Sequence, residues 1–239
     1  FQALADAGKE TAKWLEAIRE CLREAVKAGF PSLRGGFVKA PFDTIGDTLR
    51  GTQGIIMDMY RQPQKLLEAL ERIAVLSIES AVSAANASGG CSVFIPLHKG
   101  DDRFMSDKQY QTFYWPTLKK VVLGLVEEGI VPLLFAEGIY NNRLEIIRDL
   151  PRGTVIWQFD QSDMARAKQV LGDTACIAGN VPTSLLVTGT PQAVKEYCRQ
   201  LIEVCGKGGG FILTGGANLD KGKADNLHAM IEAAREYGV

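Results

Sequence analysis

The chain has 239 residues, 46% hydrophobic and 23% charged, enough apolar material to bury a sizeable core as one large domain or two small ones. A formal net charge of -1 and a pI near 6.2 leave no basic footprint for nucleic acid, and no apolar run approaches the roughly 20 residues that cross a bilayer. The five cysteines are scattered, with no Cys-x-x-Cys pair and no signal-peptide pattern at the start, so the expected compartment is a reduced cytoplasm.

Residues 1 to 28 carry Trp14, Ile18, Leu22, Ala25 and Val26 at helical spacing before Gly29, which predicts an amphipathic packing helix. A short strand follows over Gly35 to Ala40, ended by Pro41 and trailed by Asp43 and Asp47. Pro63 is placed to open a long helix through Leu66, Leu70 and Ala74 that stops near Gly89-Gly90. The second strand, Ser92 to Pro96, runs into His98, Lys99, Asp101, Asp102 and Arg103. Ser106 and Gln109 have capping-box spacing, so a helix starts there, is kinked or restarted at Pro116, and continues to Gly129. The apolar run 130 to 135 fits a parallel strand covered on both faces and ends in Glu137, with Tyr140 and Asn141 beyond. Further strands are predicted at Thr154 to Phe159 before Asp160, at Ala175 to Ala178 before Asn180, and at Phe211 to Thr214 before Asn218. Helices fill the gaps near 141 to 149, 163 to 171, Pro191 to Cys205 and 222 to 236.

Alternation of strand and helix implies right-handed crossovers and a parallel sheet. Six strands, near 36, 92, 130, 154, 175 and 210, fall short of the eight of a closed barrel. The choice lies between a barrel whose first two units lie upstream and an open six-stranded sheet. An open barrel leaves strand edges that need a cover, and a homodimer is left open as an assembly.

In a parallel array every carboxyl end falls on one rim, so Asp43, Asp47, His98, Arg103, Glu137, Tyr140, Asp160, Asn180 and Asn218 are expected to converge on a small-molecule site. His98 fits a general acid or base, or a metal ligand together with Glu137 and Asp160. No spacing motif enforces the metal. Arg103 and Tyr140 fit either orientation of an oxygenated substrate or solvent-facing roles, and Asp43, Asp101 and Asp102 also read as turn or cap acids. Asn180 suits a loop cap as well as a ligand, and His228 falls inside the last helix as a structural residue. The run Gly206 to Gly210 precedes a strand rather than following one, which excludes a dinucleotide-binding loop.

Ala40-Pro41-Phe42-Asp43-Thr44 with Leu49-Arg50-Gly51, Phe135-Ala136-Glu137-Gly138, Gly179-Asn180-Val181 with Gly189-Thr190-Pro191, and the segment from Asn226 to Ala234 resemble the uroporphyrinogen decarboxylase superfamily. That superfamily includes the methyltransferases of corrinoid-dependent methyl transfer. The resemblance implies an α/β fold of the TIM (β/α)8-type barrel class, with residues 1–239 as a single domain of about six βα units lacking the N-terminal ones. In the decarboxylases, a catalytic aspartate and substrate-binding arginines come from those N-terminal units.

Two departures shape the functional expectation. A substrate-contacting tyrosine of the decarboxylases corresponds to Asp47, whose charge would repel the acetate groups of a porphyrinogen. The zinc ligands of the thiol-directed methyltransferases correspond to Phe135, Glu137 and Gly216, none of them a thiolate or imidazole. The resemblance therefore implies transfer of a methyl group from a small O- or N-methyl donor to a corrinoid carried by a partner protein. His98, Glu137 and Asp160 are the catalytic candidates, and the other rim residues hold substrate. Uroporphyrinogen decarboxylation and a noncatalytic binding barrel are the alternatives.

Overall fold

The computed structural model describes residues 1–30 and 34–238. After α1 (Gln2–Lys27) come β1 (Arg34–Phe37), α2 (Pro41–Asp43), a π-helical turn (Thr44–Leu49), α3 (Gly51–Arg61), α4 (Pro63–Ser88) and β2 (Ser92–Leu97). The middle of the chain forms α5 (Asp107–Gln109), a second π-helical turn (Tyr110–Tyr114), α6 (Trp115–Glu127), β3 (Val131–Ala136), α7 (Leu144–Ile147), β4 (Ile156–Phe159) and α8 (Met164–Leu171). Finally come β5 (Cys176–Val181), α9 (Thr183–Thr188), α10 (Pro191–Cys205), β6 (Phe211–Gly215) and α11 (Ala224–Tyr237).

All six strands are parallel and lie in sequence order, β1 to β6. A doubly wound sheet reverses its order at a switch point. This one never does, so it is an arc of a (β/α)8-type barrel rather than an open six-stranded sheet. Every strand therefore delivers its carboxyl end to the same rim. The core lies between strands and helices, where Val93, Ile95, Leu134, Trp157 and Ile177 meet Leu70, Ala74, Leu118 and Val122. No helix among the described residues is long and apolar enough to cross a membrane.

Local chemistry accounts for most element boundaries. α4 opens on Pro63 and is stopped by Gly89, whose φ of 67° is the left-handed cap conformation. Ser106 and Gln109 form both halves of the predicted capping box, Gln109 N donating to Ser106 Oγ at 3.3 Å and Ser106 N to Gln109 Oε1 at 3.0 Å. Pro116 restarts the helix in the first turn of α6, after the π-helical turn has absorbed the register change. Asp163 and Thr190 cap α8 and α10.

Some expectations are corrected. The first strand ends at Phe37, and Pro41 opens a helix rather than ending a strand. The fifth strand runs on to Val181, because parallel pairing with β6 continues through Asn180 and Thr214, so Asn180 lies inside it. The helix expected near 141 to 149 shrinks to four residues, since Arg143 is drawn inward there. α1 forms with its amphipathic pattern but buries no residue, and Trp14 and Leu22 stay in solvent. Exposed ion pairs such as Asp6–Lys9 and Glu20–Arg23 decorate it.

The largest buried cation is Arg143. It donates to Gly100 O at 3.2 Å and to Met105 O, pairs with Asp107, stands 3.5 Å from Asp102 and caps the Tyr110 ring at 4.6 Å. It ties the loop after β2 to the loop after β3. Arg143→Met should lower the unfolding free energy by about 3 kcal/mol, because Asp102 and Asp107 lose their counter-charge and the carbonyls of Gly100, Asp101 and Met105 lose a donor. Glu16→Ala on the exposed face of α1 should change it by less than about 0.5 kcal/mol, and urea titrations of the two variants compare them directly.

Candidate active site on the barrel rim

β2 outruns β1. Their pairing stops at Phe37 and Phe94, so the amides of His98 and Lys99 lie past the end of the neighbouring strand. Asp43 takes its place. Its carboxylate accepts from His98 N at 2.9 Å, from Lys99 N at 3.0 Å and from the Tyr114 hydroxyl at 2.6 Å. Asp43 is fully buried, and burial pushes its carboxyl up to about 6 against the lowering effect of those hydrogen bonds. It sits behind the rim, not on it, and its contacts are those of a cap.

Asp47 hangs from the π-helical turn after β1. Its Oδ2 accepts from His98 Nδ1 at 2.6 Å and from Lys39 Nζ at 3.0 Å, while Oδ1 takes Lys99 Nζ. Partial burial raises its carboxyl, but the hydrogen bonds from Lys99, His98 and Lys39 outweigh that and hold it well below the ordinary carboxylate range. Charged Asp47 requires a proton on Nδ1 of the ring it faces. The other ring nitrogen, Nε2, points to Glu137 Oε2 at 3.8 Å. Asp47, His98 and Glu137 thus form a line across the ends of the first three strands.

Beside this line lies a cleft of about 470 Å3, lined by His98, Asp101, Arg103, Glu137, Asp160 and their neighbours. Arg103 is chelated by Asp101, with Nε–Oδ1 at 3.1 Å and Nη2–Oδ2 at 3.0 Å. Asp101 also accepts from Ile139 N at 2.7 Å; burial raises its carboxyl, but the Arg103 side chain and these amides bring it below its usual value. Gly138 has a φ of 87°, and a Cβ there would come within 2.0 Å of Asp101 Oδ2. Only glycine fits. Asp160 accepts from Gly138 N at 3.1 Å and so fixes the same turn from the other side.

The cleft is biased in charge. Lys39 and Lys99 are engaged by Asp47 and Arg103 by Asp101, while Glu137 and Asp160 face the opening with no Lys or Arg ion pair among the described residues. A second anion 4 Å from either would meet a repulsion of about 4 kcal/mol at protein-surface screening. The cleft suits a neutral or cationic ligand. Among the described residues no group of three or more His, Cys, Asp or Glu side chains is arranged to hold a metal ion.

Of the residues singled out from sequence, His98, Arg103, Glu137 and Asp160 share the cleft, and Asp47 joins it through His98. Asn180 is buried in β5, donating to Ser162 O at 2.9 Å, and lines an adjoining cavity with Asp160. Tyr140 is corrected from substrate contact to core. It is fully buried with its hydroxyl donating to Leu97 O at 3.3 Å, and Gly100 leaves the room that this ring fills. Asn218 is exposed beyond β6 and outside the cleft lining. Sequence reasoning missed Lys39, Tyr114 and Gln161. No spacing signals Lys39 or Tyr114, whereas Gln161, next to Asp160 at a strand end, was findable.

The sequence profile of the uroporphyrinogen decarboxylase (URO-D) family matches residues 2–237. The chain belongs to that family. URO-D relatives named uroporphyrinogen decarboxylase include one from Psychromonas ingrahamii, 26% identical over 94% of this chain, and one from Trichodesmium erythraeum, 24% identical over 95%. The chain spans 64% of the length of each. The URO-D fold is seen again in a methyltransferase from Methanosarcina mazei, with a TM-score of 0.73, 19% identity, and coverage of 84% of this chain and 58% of that one.

The raised carboxyl of Asp43 fixes a pH dependence. A group whose folded value lies above its unfolded one adds stability below the unfolded value, here 3.8, and loses it as pH rises through about 6. The stability of the wild type relative to Asp43→Asn should therefore fall by roughly 2 kcal/mol between pH 4 and pH 7, read from urea titrations at each pH. A constant difference across that window contradicts the buried-carboxylate assignment.

Proposed function

We propose that the rim removes a methyl group from a small O- or N-methyl donor and delivers it to a corrinoid carried by a partner protein. The observation that carries this reading is the Asp47–His98–Glu137 line beside a cleft whose cations are all engaged by carboxylates. His98 serves as the proton donor in this reading, and Lys39, Lys99 and Arg103 are already paired with carboxylates rather than free to hold a polycarboxylate. The corrinoid supplies, from its own protein, the reduced cobalt that attacks the methyl carbon. A cleft of about 470 Å3 accommodates a donor of drug-like size or smaller.

This chain's share of the chemistry is positioning and proton transfer. Asp47 holds the His98 ring through Nδ1, which aims Nε2 at the cleft. As the carbon–oxygen bond of an ether donor breaks, its electron pair stays on the oxygen. His98, entering the step with a proton on both ring nitrogens, gives the oxygen its Nε2 proton and is left as the neutral ring with Nδ1–H toward Asp47. A methylammonium donor leaves as a neutral amine and needs no proton. Glu137, 3.8 Å from Nε2, favours the positively charged form of the ring before the transfer, and His98 Nε2 takes the proton back in the return direction. Glu137 and Asp160 also attract a methylammonium donor into the cleft.

The protein, reduced cobalamin and a panel of methoxyarenes and methylamines should give demethylated product with loss of the Co(I) absorption band. His98→Ala should lower turnover by about 10²- to 10³-fold with little change in KM, and Asp47→Asn by about tenfold. Full activity in the His98→Ala, Glu137→Ala double variant removes these roles. The similarity to curated decarboxylases gives the second reading its support. Release of carbon dioxide from uroporphyrinogen, with no product from any methyl donor, would favour it instead.

A further inference from the structure

Next to the rim cleft, toward β5, lies a second cavity of about 500 Å3. Asp160 and Gln161 line both, so they form the partition between them. Three hydrogen bonds hold it in place. Gln161 N donates to Gly138 O at 2.9 Å, and Asp160 Oδ2 accepts from Gly138 N and from Gln161 Nε2, each at 3.1 Å. Asp160 Oδ1 accepts no hydrogen bond among the described residues, and a Cβ on Gly216 would stand 3.1 Å from it.

Beyond the partition the walls are hydroxyls and carboxamides: Asn141, Asn180, Thr183, Ser184 and Tyr197. Asn180 is almost fully buried, and its Oδ1 accepts from the Tyr197 hydroxyl at 3.4 Å, which holds amide and phenol as a pair. Asp163, also on the wall, is occupied in capping α8 through Arg166 N at 3.0 Å. No lysine or arginine among the described residues lines the cavity. Groups that both donate and accept, the Asp160 carboxylate and an aromatic ring match the alternating hydroxyls of a polyol. They offer nothing to a polyanion and little to a bare aromatic ring.

We propose that this second cavity is a polyol subsite. The substrate is a methylated hydroxyl compound of sugar-like chemistry, its methyl group placed at His98 and its free hydroxyls beyond Asp160. The position of the methyl end rests on the methyl-transfer reading; the recognition of hydroxyls does not.

Binding is measured by calorimetry with methyl glucopyranoside and with anisole, on the wild type and on the Thr183→Val, Ser184→Ala double variant. The glucoside should bind more tightly than anisole. The double variant should weaken the glucoside by about tenfold, the loss of a hydrogen bond or two, and leave anisole unchanged. Glucoside binding equal to or weaker than that of anisole, or unaffected by the double variant, overturns the subsite. Because no turnover is needed, absence of demethylated product in the methyl-transfer assay would refute that reading while leaving this result to stand or fall alone.

Discussion

Asp43, buried behind the rim, ties the first βα unit to the second. β1 is too short to satisfy the last amides of β2, and an unpaired buried amide is costly, so the carboxylate that accepts from His98 and Lys99 supplies the missing partner. Tyr114 anchors that carboxylate from the next helical segment. The direction of the His98 side chain follows from this grip on its backbone. Asp47, His98, Lys99 and Glu137 then meet because strand order brings the ends of the first three strands side by side.

The same economy of caps gives the rim its charge. Asp43, Asp101, Asp102 and Asp160 all accept from backbone amides at strand ends or loops, which is what barrel loops need for their unpaired N–H groups. Carboxylates used in this way accumulate where the chemistry sits. Lysine and arginine neutralise one of them, Asp101, and also the neighbouring Asp47, and are no longer free for an anionic substrate. Structural capping and ligand preference are two results of one distribution of charge, and the rim of this URO-D chain is tuned toward neutral or cationic ligands by it.

The strands and helices were legible in the sequence because their signals are local, whereas the barrel itself was implied only by the family resemblance. Pro63 and Gly89 bound α4, Ser106 and Gln109 make the capping box, and the apolar run before Glu137 could be a strand buried on both faces. His98, Glu137 and Asp160 were placed correctly on one rim by counting strand ends. Depth was not legible. Tyr140 and Asp43 follow strands just as His98 does, yet both turn inward, one into space left by Gly100 and the other onto amides 55 residues away. Nor could spacing show that α1, amphipathic by every local measure, buries none of its residues. Burial depends on what lies opposite, and a periodic pattern carries no such information.

The account turns on the orientation of one imidazole. The chain has two histidines, so ring nitrogen spectra of His98 are assigned at once by comparison with His228→Gln. Long-range 1H–15N correlations should show Nδ1 protonated and hydrogen-bonded, with Asp47→Asn shifting that nitrogen while the rest of the spectrum is retained. An unprotonated Nδ1 in the wild type, or a ring insensitive to Asp47→Asn, would mean that Asp47 does not hold His98, and the proton-transfer line across the rim would not exist.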